Sequence, residues 1–135
     1  MILVRHASAG DRDAWADHDH VRPLDAKGRR QAEELVGLLA AFPVDEILTS
    51  PALRCVQTIQ PLADARGLDP VERAELGEDG LWSEGPALVQ SLAGRDVVVC
   101  SHGGIESALD DPPRLHKGEV FVVDVALRVV EAVRL

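Results

Sequence analysis

The sequence predicts an α/β sandwich with a largely parallel central sheet and an antiparallel edge. Short β-rich runs alternate with amphipathic helical segments along most of the 135 residues, the order expected of strand–helix–strand units. One run, DVVVCS at 96–101, is almost continuously apolar, as in a strand covered on both faces. The final stretch, EVFVVDVALRVVEAVRL, reads as two strands forming a hairpin at a sheet edge.

The elements follow in order. MILV opens the chain as a short strand that runs straight into Arg5 and His6. From Ala9 to Val21 the residues are polar and rich in Asp and His, the composition of a surface loop. A helix is expected from Asp25 to Ala41. Ala32, Leu35, Val36 and Leu39 recur at helical spacing, Asp25 is its N-cap, and Phe42-Pro43 ends it. DEILTS is the second strand. The next helix is expected to start with Ser50 as N-cap and Pro51 at its first position, and to stop at Gly67. Its inward stripe would be Ala52, Val56, Ile59 and Ala63, with Pro61 kinking or splitting it. An irregular stretch from Gly67 to Gly85 holds a short strand near Val71. A short helix follows over Pro86 to Leu92, and HGGIESAL after the apolar strand opens another.

Length and composition predict one domain over residues 1–135, large enough for a core without disulfides. Fourteen basic against 23 acidic residues leave a net charge of −9, the wrong sign for nucleic acid or an anionic membrane surface. Cys55 and Cys100 stand alone, neither in a CxxC pair, and read as buried reduced thiols. MILV is too short for a signal-peptide core, and no apolar stretch is long enough for a membrane span. A cytoplasmic location is the resulting expectation.

Three predicted strand ends carry residues with chemical potential. Arg5 and His6 follow the first strand, Arg54 the second, and His102 with Gly103-Gly104 the apolar one. In an open parallel sheet these carboxyl ends share one edge, where ligands bind. If the strands are neighbours, two guanidiniums and two imidazoles converge. Gly103 and Gly104 would bring backbone N–H groups at a helix N-terminus to the same place. Each feature alone has an ordinary reading: an Arg-His pair after a strand is commonly a plain exit to solvent. Together they suit a phosphoryl group. Guanidiniums match its oxygens, a neutral imidazole is a nucleophile toward phosphorus, and a second imidazole stabilises developing charge. The arginines are expected to depress the pKa of His6. Side-chain cations then do the work of a metal, so none is required.

LVRHASAG, RPLDAKGRRQAEEL, ILTSPALRCVQT and VVVCSHGG together resemble, in order and spacing, the motifs of the histidine phosphatase superfamily. The chain is most similar to its small SixA-type branch, and the likeness covers nearly its whole length. The resemblance implies a three-layer α/β/α fold and a phosphohistidine mechanism. It makes His6 the nucleophile and Arg5, Arg54 and His102 the phosphoryl-binding groups. Ala7 stands where the superfamily usually has Gly, a change associated with this branch. The general acid is often a Glu between the second helix and the last core strand. Glu75 is the best positional match, with Glu78 and Asp79 as rivals and a solvated acidic loop as the ordinary reading of each. Arg22 is placed near the pocket mouth. The Asp17–His20 stretch reads as a solvated loop rather than a metal site, though it could line that mouth, and Lys117-Gly118 reads as a turn.

The expected function is therefore a metal- and cofactor-independent phosphohydrolase. Its substrate would be a phosphohistidine-bearing protein or a small phosphoester, such as a nucleotide or sugar phosphate. Similar domains occur attached to Nudix hydrolases, which favours a nucleotide, although this chain holds no Nudix-type Glu-rich helix. The alternative from another class is a non-catalytic phosphate-binding module.

Overall fold

The computed structural model describes residues 1–135. Six strands form one sheet in the order β3-β2-β4-β1-β5-β6. They are β1 (Ile2–Arg5), β2 (Glu46–Thr49), β3 (Val71–Glu72), β4 (Val97–Ser101), β5 (Glu119–Val123) and β6 (Val129–Arg134). The first four are mutually parallel, whereas β5 runs antiparallel to β1 and β6 antiparallel to β5. The parallel centre and antiparallel hairpin edge match the expectation.

Period-two alternation splits the apolar residues between two faces. Ile2, Val4, Val98 and Cys100 pack against Leu35 and Leu39 of α1 (Ala26–Leu38 and its C-cap) and Cys55, Ile59 and Leu62 of α2 (Leu53–Arg66). Leu3, Val97, Val99 and Phe121 face the other way, onto Val89 of α3 (Glu84–Ser91), Leu76, Ile105 and Leu115. β4 is buried along its whole length, as its apolar run requires. Three layers result.

Caps and breaks explain the element boundaries, and several differ from expectation. The Asp25 carboxylate accepts from the Gly28 amide and caps α1 as expected. Gly67, at φ 64°, ends α2 in the left-handed conformation that favours glycine. Ser50, however, is not the N-cap of α2: that residue is Ala52, whose carbonyl receives the first helical amides. Pro51 stays outside the helix, and the Ser50 hydroxyl bonds His102 Nε2 while accepting from the Ala52 amide at 3.3 Å, ahead of the helix. Pro61 does not split α2, which is continuous from Leu53 to Arg66. Proline removes one donor, and burial of Ile59, Leu62 and Ala63 around it holds the helix against the sheet. The expected helix after His102 is one 3₁₀ turn, Ile105–Ala108, and α3 begins at Glu84, two residues early. No helix is long and apolar enough to cross a membrane.

The register sets the site. Arg5 lies beside Ser101 and Thr49 beside Cys100. The His6 amide donates to Ser101 O at 3.0 Å and the Ser50 amide to Cys100 O at 2.9 Å. β2, β4 and β1 therefore end together, at one edge.

Candidate active site

His6, Arg54 and His102 meet at that edge, all buried. The rings of His6 and His102 stand edge to face with centroids 5.5 Å apart. His6 Nδ1 lies 2.9 Å from Ala7 O, so this nitrogen carries the proton and donates it. Nε2, which has no protein partner, keeps its lone pair. Burial pushes the His6 pKa down from 6.5 to about 3, the nearby His102, Arg54 and Arg5 adding to the effect and the Ala7 bond opposing it. The direction is as expected, but desolvation outweighs the arginines as its cause. A desolvated, neutral imidazole with a free Nε2 is a nucleophile.

Two guanidiniums flank this ring system. Arg5 donates through Nη1 to Leu115 O at 3.1 Å. Arg54 reaches Asp19 O (2.8 Å) and Asp19 Oδ2 (3.0 Å), pairs with Glu78, and has Nη2 3.5 Å from His102 Nδ1. The Nε–H of Arg5 and that of Arg54 are the buried side-chain polar groups with no partner in the protein. Unpaired buried donors on cations are costly, and an oxyanion is the kind of acceptor each of them lacks. His102 is held through Nε2, 2.9 Å from Ser50 Oγ and 3.7 Å from Cys55 Sγ, which leaves Nδ1 toward Arg54 and, at 3.6 Å, Glu78.

In front of Arg54 and His102 opens a cavity of about 360 Å³, lined also by Asp19, His20, Glu78 and Asp79. Arg12 crosses its rim, pairing with Asp19 at 3.3 Å and Glu78 at 2.8 Å. Burial would raise the Asp19 pKa, but the Arg22 hydrogen bond and the charges of Arg54, Arg12 and Arg22 hold it below the usual carboxylate range.

Several sequence expectations fall elsewhere. Glu75 does not face the cavity: it pairs with Arg73 at 2.5 Å, and that bond holds its carboxyl below the usual range. Glu78, its rival three residues on, is the Glu that reaches Arg54 and His102. Arg22 is spent on Ala9 O and on Asp19 Oδ1 (2.9 Å), so it braces Asp19 from behind. Gly103-Gly104 opens only a single 3₁₀ turn, with Gly104 as its N-cap, and the Gly104 amide is taken by Glu106 Oε2 at 2.7 Å. The value of Gly103 is its missing side chain, since a Cβ there would fall 2.7 Å from Arg5 Cζ. Lys117-Gly118 is a turn, as expected. Sequence reasoning missed Asp19 as a partner of Arg54 and saw Ser50 only as a helix cap.

Comparison with known proteins identifies the family and the fold. The family model of the histidine phosphatase superfamily (branch 1) matches residues 1–86. The chain belongs to that superfamily. Among its relatives, the 8-oxo-(d)GTP phosphatase of Mycolicibacterium smegmatis is 38% identical over 112 residues. That alignment takes in 78% of this chain and 34% of the relative, so the chain spans about a third of the relative's length. A provisionally named phosphohistidine phosphatase SixA from Agrobacterium tumefaciens superposes with TM-score 0.81 at 26% identity, covering 99% of this chain and 97% of its own. The protein histidine phosphatase SixA bound to tungstate gives TM-score 0.79 at 22% identity, covering 98% and 95%. The histidine phosphatase fold thus extends through β5 and β6, beyond the residues the family model matches.

Proposed function

We propose that this histidine phosphatase superfamily member hydrolyses phosphorylated substrates through a phosphohistidine formed on His6. The observation that carries the reading is a neutral, desolvated imidazole with a free Nε2 beside two guanidiniums whose buried Nε–H groups lack partners. Nε2 attacks phosphorus, the P–Nε2 bond forms, and the bond from phosphorus to the leaving group breaks. Arg5, Arg54 and His102 take the charge growing on the phosphoryl oxygens, with those oxygens replacing the carboxylates of Asp19 and Glu78 on Arg54. To Glu78, released from Arg54 by the incoming phosphoryl group, we assign the proton movement: to the leaving group, and then from the water that cleaves the P–Nε2 bond and releases phosphate.

For the substrate we favour a phosphohistidine-bearing protein. SixA-type structures follow this chain end to end, whereas the nucleotide phosphatase relative has two thirds of its length outside the alignment. A nucleotide is the second reading, supported by 38% identity to that relative. The test begins with an aryl phosphate in the presence of a chelator. Turnover that persists there and vanishes in His6→Ala is expected; loss on chelation alone overturns the mechanism. Phosphohistidine protein and 8-oxo-nucleotides, compared by kcat/KM, then separate the two substrates.

A further inference from the structure

The free Nε2 of His6 depends on the direction of one carbonyl, that of Ala7. Neutral imidazole can carry its proton on either nitrogen, and the hydrogen bond at Nδ1 decides which. The Ala7 carbonyl and the Ser8 N–H belong to one planar trans peptide unit, so whatever fixes the amide fixes the carbonyl. The Ser8 amide donates to Gln31 Oε1 at 2.9 Å.

Gln31 is built into this position. It is buried on α1, one turn beyond Gly28. Its Nε2 donates to the Leu135 backbone oxygen at 3.2 Å, and its Oε1 accepts from Ser8. The two contacts require opposite ends of the amide, which excludes the flipped orientation. Gly118, at φ +68°, lies against it: a Cβ there would sit 2.7 Å from Gln31 Nε2. The Gly118 amide in turn donates to His6 O at 3.1 Å, and the Leu135 amide to Gly118 O at 2.9 Å. The backbone on both sides of the nucleophile is thereby tied to one closed set of hydrogen bonds, with Gln31 its only side-chain member.

We propose that Gln31 is a positioning residue that sets the tautomer of His6 through the Ala7–Ser8 peptide. It touches no reacting atom. The catalytic consequence rests on His6 being the nucleophile, but the tautomer itself does not. Without the Oε1 acceptor the peptide turns, Nδ1 loses its partner, and part of the population carries its proton on Nε2, where attack is blocked.

The experiment is nitrogen NMR of the His6 ring, with kcat and KM, in the parent, Gln31→Met and Gln31→Glu. The parent is expected to show a protonated Nδ1 and a bare Nε2. Gln31→Met keeps the bulk without the acceptor and is expected to mix the tautomers, with kcat falling about tenfold or more and KM little changed. Gln31→Glu keeps an Oε acceptor and is expected to restore the parent tautomer. A folded Gln31→Met with an unshifted His6 tautomer overturns the proposal. Hydrogen exchange of the Ser8 amide in the parent covers the case of a variant that does not fold: free exchange there is equally fatal. An inactive parent with the expected tautomer pattern refutes the phosphatase reading and leaves this one standing.

Discussion

Burying His6 as a neutral base makes stability fall with acid earlier than carboxylates alone would allow. Its pKa is lowered from 6.5 to about 3 in the folded chain, first by burial. As pH falls, the unfolded chain therefore takes up this proton before the native one does, and stability is lost on descending through 6.5 toward 3. From pH 7 to pH 5 the loss owed to His6 alone is about 2 kcal/mol, as long as the native pKa stays below about 4.5. Asp19 and Asp25, with pKa values lowered by their partners, contribute stability above the unfolded carboxylate pKa of about 3.9 and lose it below. The window from pH 5 to 7 is largely clear of them. Urea unfolding at pH 7 and pH 5, in the parent and in His6→Asn, isolates the effect, since every other titrating group is common to both. The parent is expected to lose about 2 kcal/mol more than the variant over this interval. Equal losses would mean that His6 takes up its proton in the folded chain, and the neutral-nucleophile reasoning would fail.

Two further substitutions probe the clamp. Gly103→Ala places a Cβ 2.7 Å from the Arg5 guanidinium, a flexible end that can move, so unfolding should change by less than about 1 kcal/mol. Vanadate affinity should drop about tenfold as Arg5 leaves its bond to Leu115 O, and unchanged affinity would remove Arg5 from the anion site. Glu78→Gln should slow turnover about 100-fold or more and let phosphoenzyme accumulate, while Glu75→Gln, on the Arg73 pair, should leave the rate unchanged. The reverse ranking would return the proton-transfer role to Glu75.

What was legible in the sequence followed from local rules that tertiary contacts did not overrule. The Arg5-His6 and His102 strand ends, the Asp25 cap and the Gly67 stop each depend on a few neighbouring residues. Ser50 stands two residues ahead of the cap, its hydroxyl shared between the Ala52 amide and His102, 52 residues away. Gly103 meets a second demand that the local pattern does not carry. Two glycines after a strand suit a helix N-terminus, yet the demand here came from Arg5 packing against the missing Cβ. Glu75 and Glu78 could not be ranked because residues 74–80 form two successive 3₁₀ turns. Only three positions separate the two carboxylates, and no periodicity says which points inward. Asp19 was hidden in a polar loop where four ionisable residues in a row look alike.

On the proposed reading, the arrangement around Arg54 is how a chain of net charge −9 keeps an anion site. A buried guanidinium is unfavourable unless paired, and Arg54 is nearly inaccessible. In the folded chain its partners are Asp19 and Glu78, both carried on 3₁₀ turns outside the sheet. The strand ends and α2 supply the cations from the rigid core, whereas the neutralising carboxylates come from loops. In the mechanism we propose, a phosphoryl group replaces carboxylates that are carried on loops rather than on the strands. Arg12 and Arg22 remain as alternative partners for Asp19 when it does. His6 is supported separately. Asp25, Gly28 and Gln31 recur every third residue along α1, and all three meet the 8–10 backbone: Asp25 binds Ser8 and Gly10, Gln31 binds Ser8, and Gly28 packs where a Cβ would fall 1.9 Å from Ser8 O. The charge partners of Arg54 and the supports of the His6 loop thus come from different parts of the chain: the former from 3₁₀ turns, the latter from the start of α1.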